Sequence, residues 1–565
     1  MVDKIFEAVA RTENCETVRD VSSLRNKNLK EFDHVIIVDT EVTLGGKLRE
    51  IKLYIALPFN LRVNLPKIFI DEESYAPIKY IPHVNSDLSI CMQDESENYY
   101  YSLADLPTIV LDFVRRAKEI IRIKDDAEEM RVEFEREFQA YWSVKYSTKD
   151  EILLTGFSLI DEDSNEEVKA IRLKSKIGVY EYVIFNSDKR FESLKHYLEN
   201  CQIRYTDTPV FEVNYEQIEP PFDLSYFNSA RYLAEIDAVK LLRSSLNQSK
   251  GNDCLFIFRN AHNEFFGWMY PKFNILPAGY RKKSNWERLN LNPARNFSVK
   301  RIAFSNLNQE RLYRRTAGEL PETVHSVNVI GLGSVGSNLL HFLSKAQIGE
   351  YHLVDNDVFK VENVLRHNFS FSCISHYKTA VAKRYLLDAN PFIAVSTHEK
   401  DITKLLIEDP AFFERSDYSF VIIGVRRTEE YILDYLIARS SQKPVFIIWV
   451  EPYLASGQMM YITPNKFTEA KVLLNEYPFH VIEHGDELFL KEGSCQSGYY
   501  PYSETYLTMF LSRIFPEIYG IIVKGENADS KMFSWMGDTD FLLSKGVNIS
   551  KGICDAPYSL KITPF

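Results

Sequence analysis

The stretch Val327-Asn328-Val329-Ile330-Gly331-Leu332-Gly333-Ser334-Val335-Gly336 decides the fold of the C-terminal part of the chain. An apolar run ends in a turn of three glycines, and an apolar helical pattern over 336–346 starts at the last of them. The first glycine permits the tight turn, the second lets a phosphate approach the backbone, and the third lets helix pack on strand. The helix N-terminus behind them offers unsatisfied N–H groups and a positive dipole end to an anion. A second strand over 351–354 ends on Asp355, where a carboxylate about 20 residues on can hold ribose hydroxyls.

A helix is expected over 377–390. The runs Phe420-Val421-Ile422-Ile423 and Val445-Phe446-Ile447-Ile448-Trp449-Val450 read as strands buried on both faces. Such strands separated by helices predict a parallel, doubly wound α/β sheet across 314–565. The glycine turn alone suits a nicotinamide or flavin oxidoreductase equally well. Asn363, Arg366 and Lys378, which follow Asp355-Asn356-Asp357, separate the two. Hydride transfer has no particular need of this cationic pair. Attack at the α-phosphorus of a triphosphate does, because negative charge redistributes there in the transition state.

With those residues in place, 331–378 resembles the adenylation domain of ubiquitin-activating-type enzymes, the ThiF-like fold of the bacterial adenylyltransferases of thiamin and molybdopterin biosynthesis. The resemblance implies ATP and Mg²⁺ as cofactors. It places the phosphates over Gly331, Gly333 and Gly336, the ribose on Asp355, and the triphosphate on Asn363, Arg366 and Lys378. It also implies an arginine ahead of the first strand that reaches into a partner protomer, and Arg314 or Arg315 stands there. The chain departs from the family in one place. After the fourth strand the family usually has an Asp that helps hold Mg²⁺; here the stretch is Ile422-Ile423-Gly424-Val425-Arg426-Arg427. The Mg²⁺ ligand is therefore left open by the sequence, with Asp357 as one candidate.

At the other end, residues 1–145 read as one α+β domain. An amphipathic helix over 3–10 precedes strands at Val35-Ile36-Ile37-Val38, 51–57 and Lys67-Ile68-Phe69-Ile70, punctuated by Gly45-Gly46, Pro58 and Pro66. That pattern predicts an antiparallel meander. Leu106, Ile109, Val110, Phe113, Val114, Ala117 and Ile121 then mark the buried stripe of a long helix. An acidic helix is expected over 125–142, with Met130, Phe134, Phe138 and Trp142 along one side and its charges in solvent. Between meander and long helix lies Ile81-Pro82-His83-Val84-Asn85-Ser86-Asp87-Leu88-Ser89-Ile90-Cys91-Met92. This arrangement resembles ubiquitin-conjugating enzymes, whose His-Pro-Asn motif shortly precedes an Ile-Cys-Leu segment. Ile81-Pro82-His83 occupies the motif, so His83 stands where the family has Asn. The resemblance makes Cys91 a thioester acceptor. A histidine at 83 can donate to an oxyanion or assist deprotonation of an attacking lysine.

Adenylation makes a mixed anhydride that a nearby thiolate can capture. Cys495, in Glu492-Gly493-Ser494-Cys495-Gln496-Ser497-Gly498, precedes a helical stretch over 503–515 whose N-terminus can lower a thiol pKa. Its position after the adenylation sheet matches the family's thioester cysteine. Cys554 is the reserve candidate, and Cys373 reads as structural.

Composition agrees with this reading. At 565 residues, 45% hydrophobic and 26% charged, the chain is an ordinary globular protein too long for one core. The net charge of −12 argues against a nucleic-acid coat. No apolar run nears the roughly 20 residues of a membrane helix, and no signal-peptide core opens the chain. Seven scattered cysteines without a Cys-x-x-Cys pair suit a reduced cytoplasmic protein and not a four-thiolate zinc site. The middle, 146–313, reads as a mixed α/β linker domain, with strands at 181–185 and 255–258 and a helix over 230–246. Its basic stretch, Tyr280-Arg281-Lys282-Lys283 through Lys300-Arg301, is expected at the surface or as a face for an acidic partner.

A conjugating-type domain joined to an activating-type domain makes a thioester relay in one chain. That order resembles the fused enzymes of bacterial cyclic-oligonucleotide-based (CBASS) anti-phage operons. The resemblance implies a homodimer that attaches the C-terminal tail of a cGAS-like nucleotidyltransferase, or of a ubiquitin-like protein, to lysine-bearing targets. No membrane and no direct nucleic-acid partner is expected. The rivals are an adenylyltransferase serving a sulfur carrier, an inactive nucleotide-binding scaffold, and last an oxidoreductase.

Overall fold

The computed structural model describes residues 1–18, 20–92, 101–143, 153–160, 166–213, 229, 239–249, 252–260, 262–270, 284–291, 299–318, 323–483, 485–491, 498–526, 528–550 and 556–565. They form two compact units, one of residues 1–186 with 205–306 and one of 187–204 with 307–565.

In the first unit, β1 (Asn14–Thr17), β2 (His34–Leu44), β3 (Lys47–Leu57), β4 (Lys67–Ile70) and β5 (Ser89–Ile90) pair in sequence order, each antiparallel to the next. The expected meander is present. Gly45 and Gly46 make its tightest turn, at φ +58° and +70°, joining Leu44 to Lys47 across the ladder. Positive φ at both central residues is what a two-residue hairpin turn needs to match strand twist. The helix Leu106–Arg122 lays Leu106, Val110, Phe113, Val114, Ala117 and Ile121 onto the sheet beside Ile36, Val38, Leu53 and Ile55.

The acidic helix is not continuous. It runs as Ala127–Arg136, capped by the Asp126 carboxylate on the N–H groups of Glu128 and Glu129, and resumes as Phe138–Ser143. Phe138 and Trp142 are buried against the second sheet of this unit, whose order is β10-β11-β12-β13-β6-β8-β7-β9. Its strands are β6 (Leu153–Ser158), β7 (Lys169–Ile177), β8 (Tyr180–Phe185), β9 (Tyr205–Thr208), β10 (Val210–Glu212), β11 (Cys254–Arg259), β12 (Phe265–Tyr270) and β13 (Lys300–Asn306). The expected surface position of Arg301 is corrected here. It lies in β13, 5% exposed, with its guanidinium 5.4 Å from the Trp142 ring centroid. A cation over an indole face is stabilised by the ring quadrupole, so the charge tolerates burial. Residues 280–283 of the basic stretch lie outside the described residues, as does most of the helix expected over 230–246.

The second unit holds β14 (Ser326–Ile330), β15 (Glu350–Val354), β16 (Ala394–His398), β17 (Tyr418–Val421), β18 (Val445–Val450), β19 (Ser456–Ile462), β20 (Leu490–Lys491), β21 (Gly498–Tyr499), β22 (Lys531–Met536) and β23 (Leu560–Pro564). The sheet order β16-β15-β14-β17-β18-β19-β22-β23 reverses on either side of β14, as a doubly wound sheet must. From β16 to β18 all neighbours are parallel; from β18 to β23 they are antiparallel. The expected parallel sheet thus carries an antiparallel extension. Val327, Val329, Phe420, Phe446 and Ile448 are essentially buried, as parallel strands covered on both faces require. Among the described residues, no helix is long and apolar enough to cross a membrane.

Candidate active site

Strand β14 delivers the chain into Gly331-Leu332-Gly333, and the helix Ser334–Leu343 leaves it. Packing demands two of the three glycines. Gly331 has φ +94°, and a side chain there would meet the Ile422 carbonyl oxygen at 2.4 Å. A side chain on Gly336 would lie 2.0 Å from the Gly331 carbonyl oxygen. Around Gly333 nothing lies within 4 Å of where a Cβ would project. The middle glycine therefore keeps open the space in front of the helix N-terminus, where an anion is favoured.

Asp355 follows β15 and braces this loop. One carboxylate oxygen accepts the Leu332 N–H at 2.6 Å, the other the Asp357 N–H at 2.8 Å. Burial pushes its pKa up, while Lys378 and the two N–H groups pull it down. Asn363 ends a short 3₁₀ turn, its side-chain oxygen accepting from the Lys360 N–H, which leaves the amide nitrogen to meet a phosphate. Lys378 opens the helix Lys378–Ala389 with a side chain only 7% exposed, its Nζ 2.8 Å from the Asp357 carboxylate.

Arg366 sits across from the glycine turn. Its carbonyl oxygen accepts from Ser334 Oγ at 2.5 Å and Asn338 Nδ2 at 3.1 Å, tying it to the first turn of the helix behind the loop. Its Nε is buried without a hydrogen-bond partner among the described residues. A buried cationic donor left this way is costly unless an anion completes it. The adjoining His367 was missed by sequence reasoning. Burial first, then Lys378 and Arg366, push its pKa down to about 4, so the ring is neutral and adds no charge beside the two cations. Only its place after Arg366 could have signalled it. The open space at Gly333 and the orphaned Arg366 donor fit a polyphosphate.

No group of three or more His, Cys, Asp or Glu able to hold a metal occurs among the described residues. Asp357 is ion-paired with Lys378, but its side chain is 64% exposed, so it is the carboxylate here that would help hold Mg²⁺. At the position of the family's Asp the backbone turns through Gly424, whose N–H is accepted by Glu429 at 3.0 Å. Glu429 is 3% exposed, and burial raises its carboxyl to about 7. Arg314 and Arg315 lie exposed in the last turn of the helix Gln309–Ala317 that precedes β14. Cys495 and Cys554 lie outside the described residues; β20 and β21 pair on either side of 492–497.

In the first unit, Cys91 follows β5 and is exposed. Its N–H is accepted by the His83 carbonyl oxygen at 2.7 Å, so the two residues are backbone neighbours. The His83 ring is gripped from the acidic helices: Nε2 lies 3.0 Å from Glu133 Oε2 and Nδ1 3.5 Å from Glu137 Oε1. Tyr141 Oη accepts the His83 N–H at 2.7 Å and donates to Glu137 at 2.9 Å. The acidic run is therefore not simply a solvated face. Glu133, Glu137 and Tyr141 are functional-site candidates that the charge pattern disguised.

Residues 320–480 match the ThiF family, and residues 17–150 match Prokaryotic E2 family B. The chain is 30% identical over 122 residues to the adenylyltransferase and sulfurtransferase UBA4 of Lodderomyces elongisporus, covering 21% of this chain and 25% of that protein. It is 33% identical over 98 residues to the protein of that name from Scheffersomyces stipitis, covering 17% and 21%. The chain thus spans about a quarter of the length of the curated relatives it matches. Among solved structures it is similar to E. coli MccB, at TM-score 0.30 and 15% identity over 52% of this chain and 72% of that one. It is also similar to E. coli MccB with ATP, at TM-score 0.28 and 18% identity over 41% and 66%. The chain carries an E2-like segment ahead of a Rossmann-like ThiF segment.

Proposed function

We propose that this protein adenylates the C-terminal carboxylate of a partner protein, relays the acyl group from Cys495 to Cys91, and conjugates it to amines. The division is 1–145 for conjugation, 146–313 for linkage and 314–565 for activation. The observation that carries the reading is the buried Arg366 Nε without a hydrogen-bond partner among the described residues, in a site where Gly333 holds space open and Lys378 supplies a second cation.

In the first step a carboxylate oxygen of the partner attacks the α-phosphorus of ATP, and pyrophosphate leaves with the electron pair of the broken P–O bond. Arg366 and Lys378 offset the charge on the departing phosphates, Asn363 and the loop N–H groups orient them, and Asp355 holds the ribose. Mg²⁺ would neutralise charge on the triphosphate, and Asp357 is the carboxylate that would help hold it. The Cys495 thiolate then attacks the acyl carbon and AMP leaves. Exchange onto the Cys91 thiolate conserves the thioester, and is nearly isoenergetic between alike thiols. A lysine amine finally attacks the thioester, loses its proton, and Cys91 leaves as thiolate. The acyl donor is the tail of a cGAS-like nucleotidyltransferase or a ubiquitin-like protein, in a cytoplasmic anti-phage setting of the CBASS kind. Exposed Val361, Leu365, Phe371 and Tyr377 in the crossover after β15 suit a homodimer across this face, with Arg314 or Arg315 reaching the partner protomer's site.

ATP–pyrophosphate exchange that requires a partner with a free C-terminal carboxylate tests the first step. Binding of NADH without ATP would overturn it. The name of the curated relatives favours a second reading, activation of a sulfur carrier. That reading gives the E2-like segment and Cys91 no work; intact mass after reaction separates an amide-linked product from a thiocarboxylate.

A further inference from the structure

The Arg366 guanidinium carbon lies 4.4 Å from the centroid of the Tyr502 ring, directly over its face. Tyr502 is remote in sequence from the Asn363–Arg366 motif, and nothing in the sequence connects the two. The ring is fixed before any ligand arrives. It packs against the main core of the second unit. The preceding Pro501 carbonyl accepts the Tyr453 N–H at 2.6 Å, and the carbonyl of the following Ser503 accepts the Leu507 N–H at 3.1 Å in the first turn of the helix Glu504–Ile522. Arg366 is fixed from its other end, by Ser334 and Asn338 on its carbonyl. Between these anchors its Nε has no hydrogen bond from the described residues. The π-face is thus the contact seen to hold the fork in place.

We infer that Tyr502 is a positioning residue for triphosphate recognition: its ring holds the Arg366 guanidinium so that the N–H edge stays unspent for phosphate oxygens. The inference rests on the adenylation reading and adds to it a residue from the segment just ahead of the helix Glu504–Ile522. The physical reason is the shape of guanidinium. Its donors lie in the plane and its faces stack on aromatics, so a ring can grip it without consuming a donor. A carboxylate partner would hold the arginine more tightly but would cancel its charge and occupy the donors that phosphate needs. The ring also keeps water from one face, which strengthens the attraction for an anion.

The test is ATP binding to the full chain by titration calorimetry, followed by exchange kinetics. Tyr502→Leu is expected to weaken ATP binding about tenfold, the scale of a partly desolvated cation–π contact. Tyr502→Phe keeps the ring and is expected to stay within about threefold of wild type, on the same scale. In exchange assays the loss should appear both in KM for ATP and in kcat, because the same guanidinium meets the charge on the departing phosphates. Arg366→Ala and Tyr502→Leu combined should bind no more weakly than Arg366→Ala alone, because the ring acts only through the arginine. Tyr502→Met serves as a second ring-free variant should Tyr502→Leu melt early. Unchanged ATP affinity in a folded ring-free variant, or full additivity in the cycle, overturns the inference and leaves the adenylation reading standing. Wild-type protein that binds no ATP overturns both.

Discussion

Lys378 and Asp357 hold each other twice: Nζ to carboxylate at 2.8 Å, and the Lys378 N–H to the Asp357 carbonyl at 3.0 Å. The second contact anchors the start of the helix Lys378–Ala389; the first keeps a nearly buried ammonium paired until a stronger anion arrives. Lys378→Met keeps the stem and removes the charge. It should cost about 10²-fold in ATP–pyrophosphate exchange, the order seen when one transition-state donor is lost. A full-rate Lys378→Met would remove that residue from the site.

Glu429 makes a stability prediction whose sign is fixed by its environment. Burial raises its carboxyl from the ordinary 4.5 to about 7, with Glu430 adding to the rise and the N–H groups of Gly424 and Val425 opposing it. A raised carboxyl favours the folded state fully below about pH 4.5, and that contribution is lost as pH climbs through about 7. The whole change is on the order of 3 kcal/mol. Glu429→Gln can still accept from Gly424 but does not ionise. Its melting temperature should therefore gain on wild type between pH 5 and 8. Parallel melting curves across that range would show that Glu429 does not titrate.

The exposed apolar side chains after β15 make an assembly prediction. Leu365 is 88% exposed and Phe371 70%, unusual for large hydrophobics so close to a cationic site. If the proposed homodimer forms across this face, Leu365→Glu with Phe371→Ser should halve the molar mass measured by light scattering. An unchanged mass would move the interface elsewhere.

Much of this was legible because backbone geometry forced particular residues. Gly331 and Gly336 have to be glycine because a side chain at either would collide with backbone, and the apolar runs at β14, β17 and β18 have to be buried on both faces. The antiparallel extension through β19, β22 and β23 was not anticipated. In β19 every residue from Ser456 to Ile462 is buried, so no alternation marks its register. Side-chain partnerships between remote segments left no local trace either. Arg366 over Tyr502 and Arg301 over Trp142 depend on the fold bringing a ring to a cation. Glu133 and Glu137 looked like ordinary helix-surface charge because only the fold brings His83 beside them.

The last prediction orders the thiols. In the proposed reaction the adenylate forms at the ThiF-like site, so the first thioester should form on Cys495 and pass to Cys91. Cys495→Ala should then abolish both reducible adducts. Cys91→Ala should keep an adduct on Cys495 and yield no amide product. Aminolysis should occur at Cys91, whose backbone is bonded to that of His83. His83→Ala should keep both thioesters and slow the final step by about 10²-fold, the scale of general acid–base help. Glu133 fixes the ring through Nε2 at 3.0 Å, so Glu133→Gln should slow the same step by a smaller factor and leave loading untouched. Non-reducing gels and intact mass of these variants, each with ATP and partner, read every step separately. If Cys495→Ala still loads Cys91, the first acceptor is Cys554 or Cys91 itself. If Glu133→Gln blocks loading, the acidic helix acts before aminolysis and not in it.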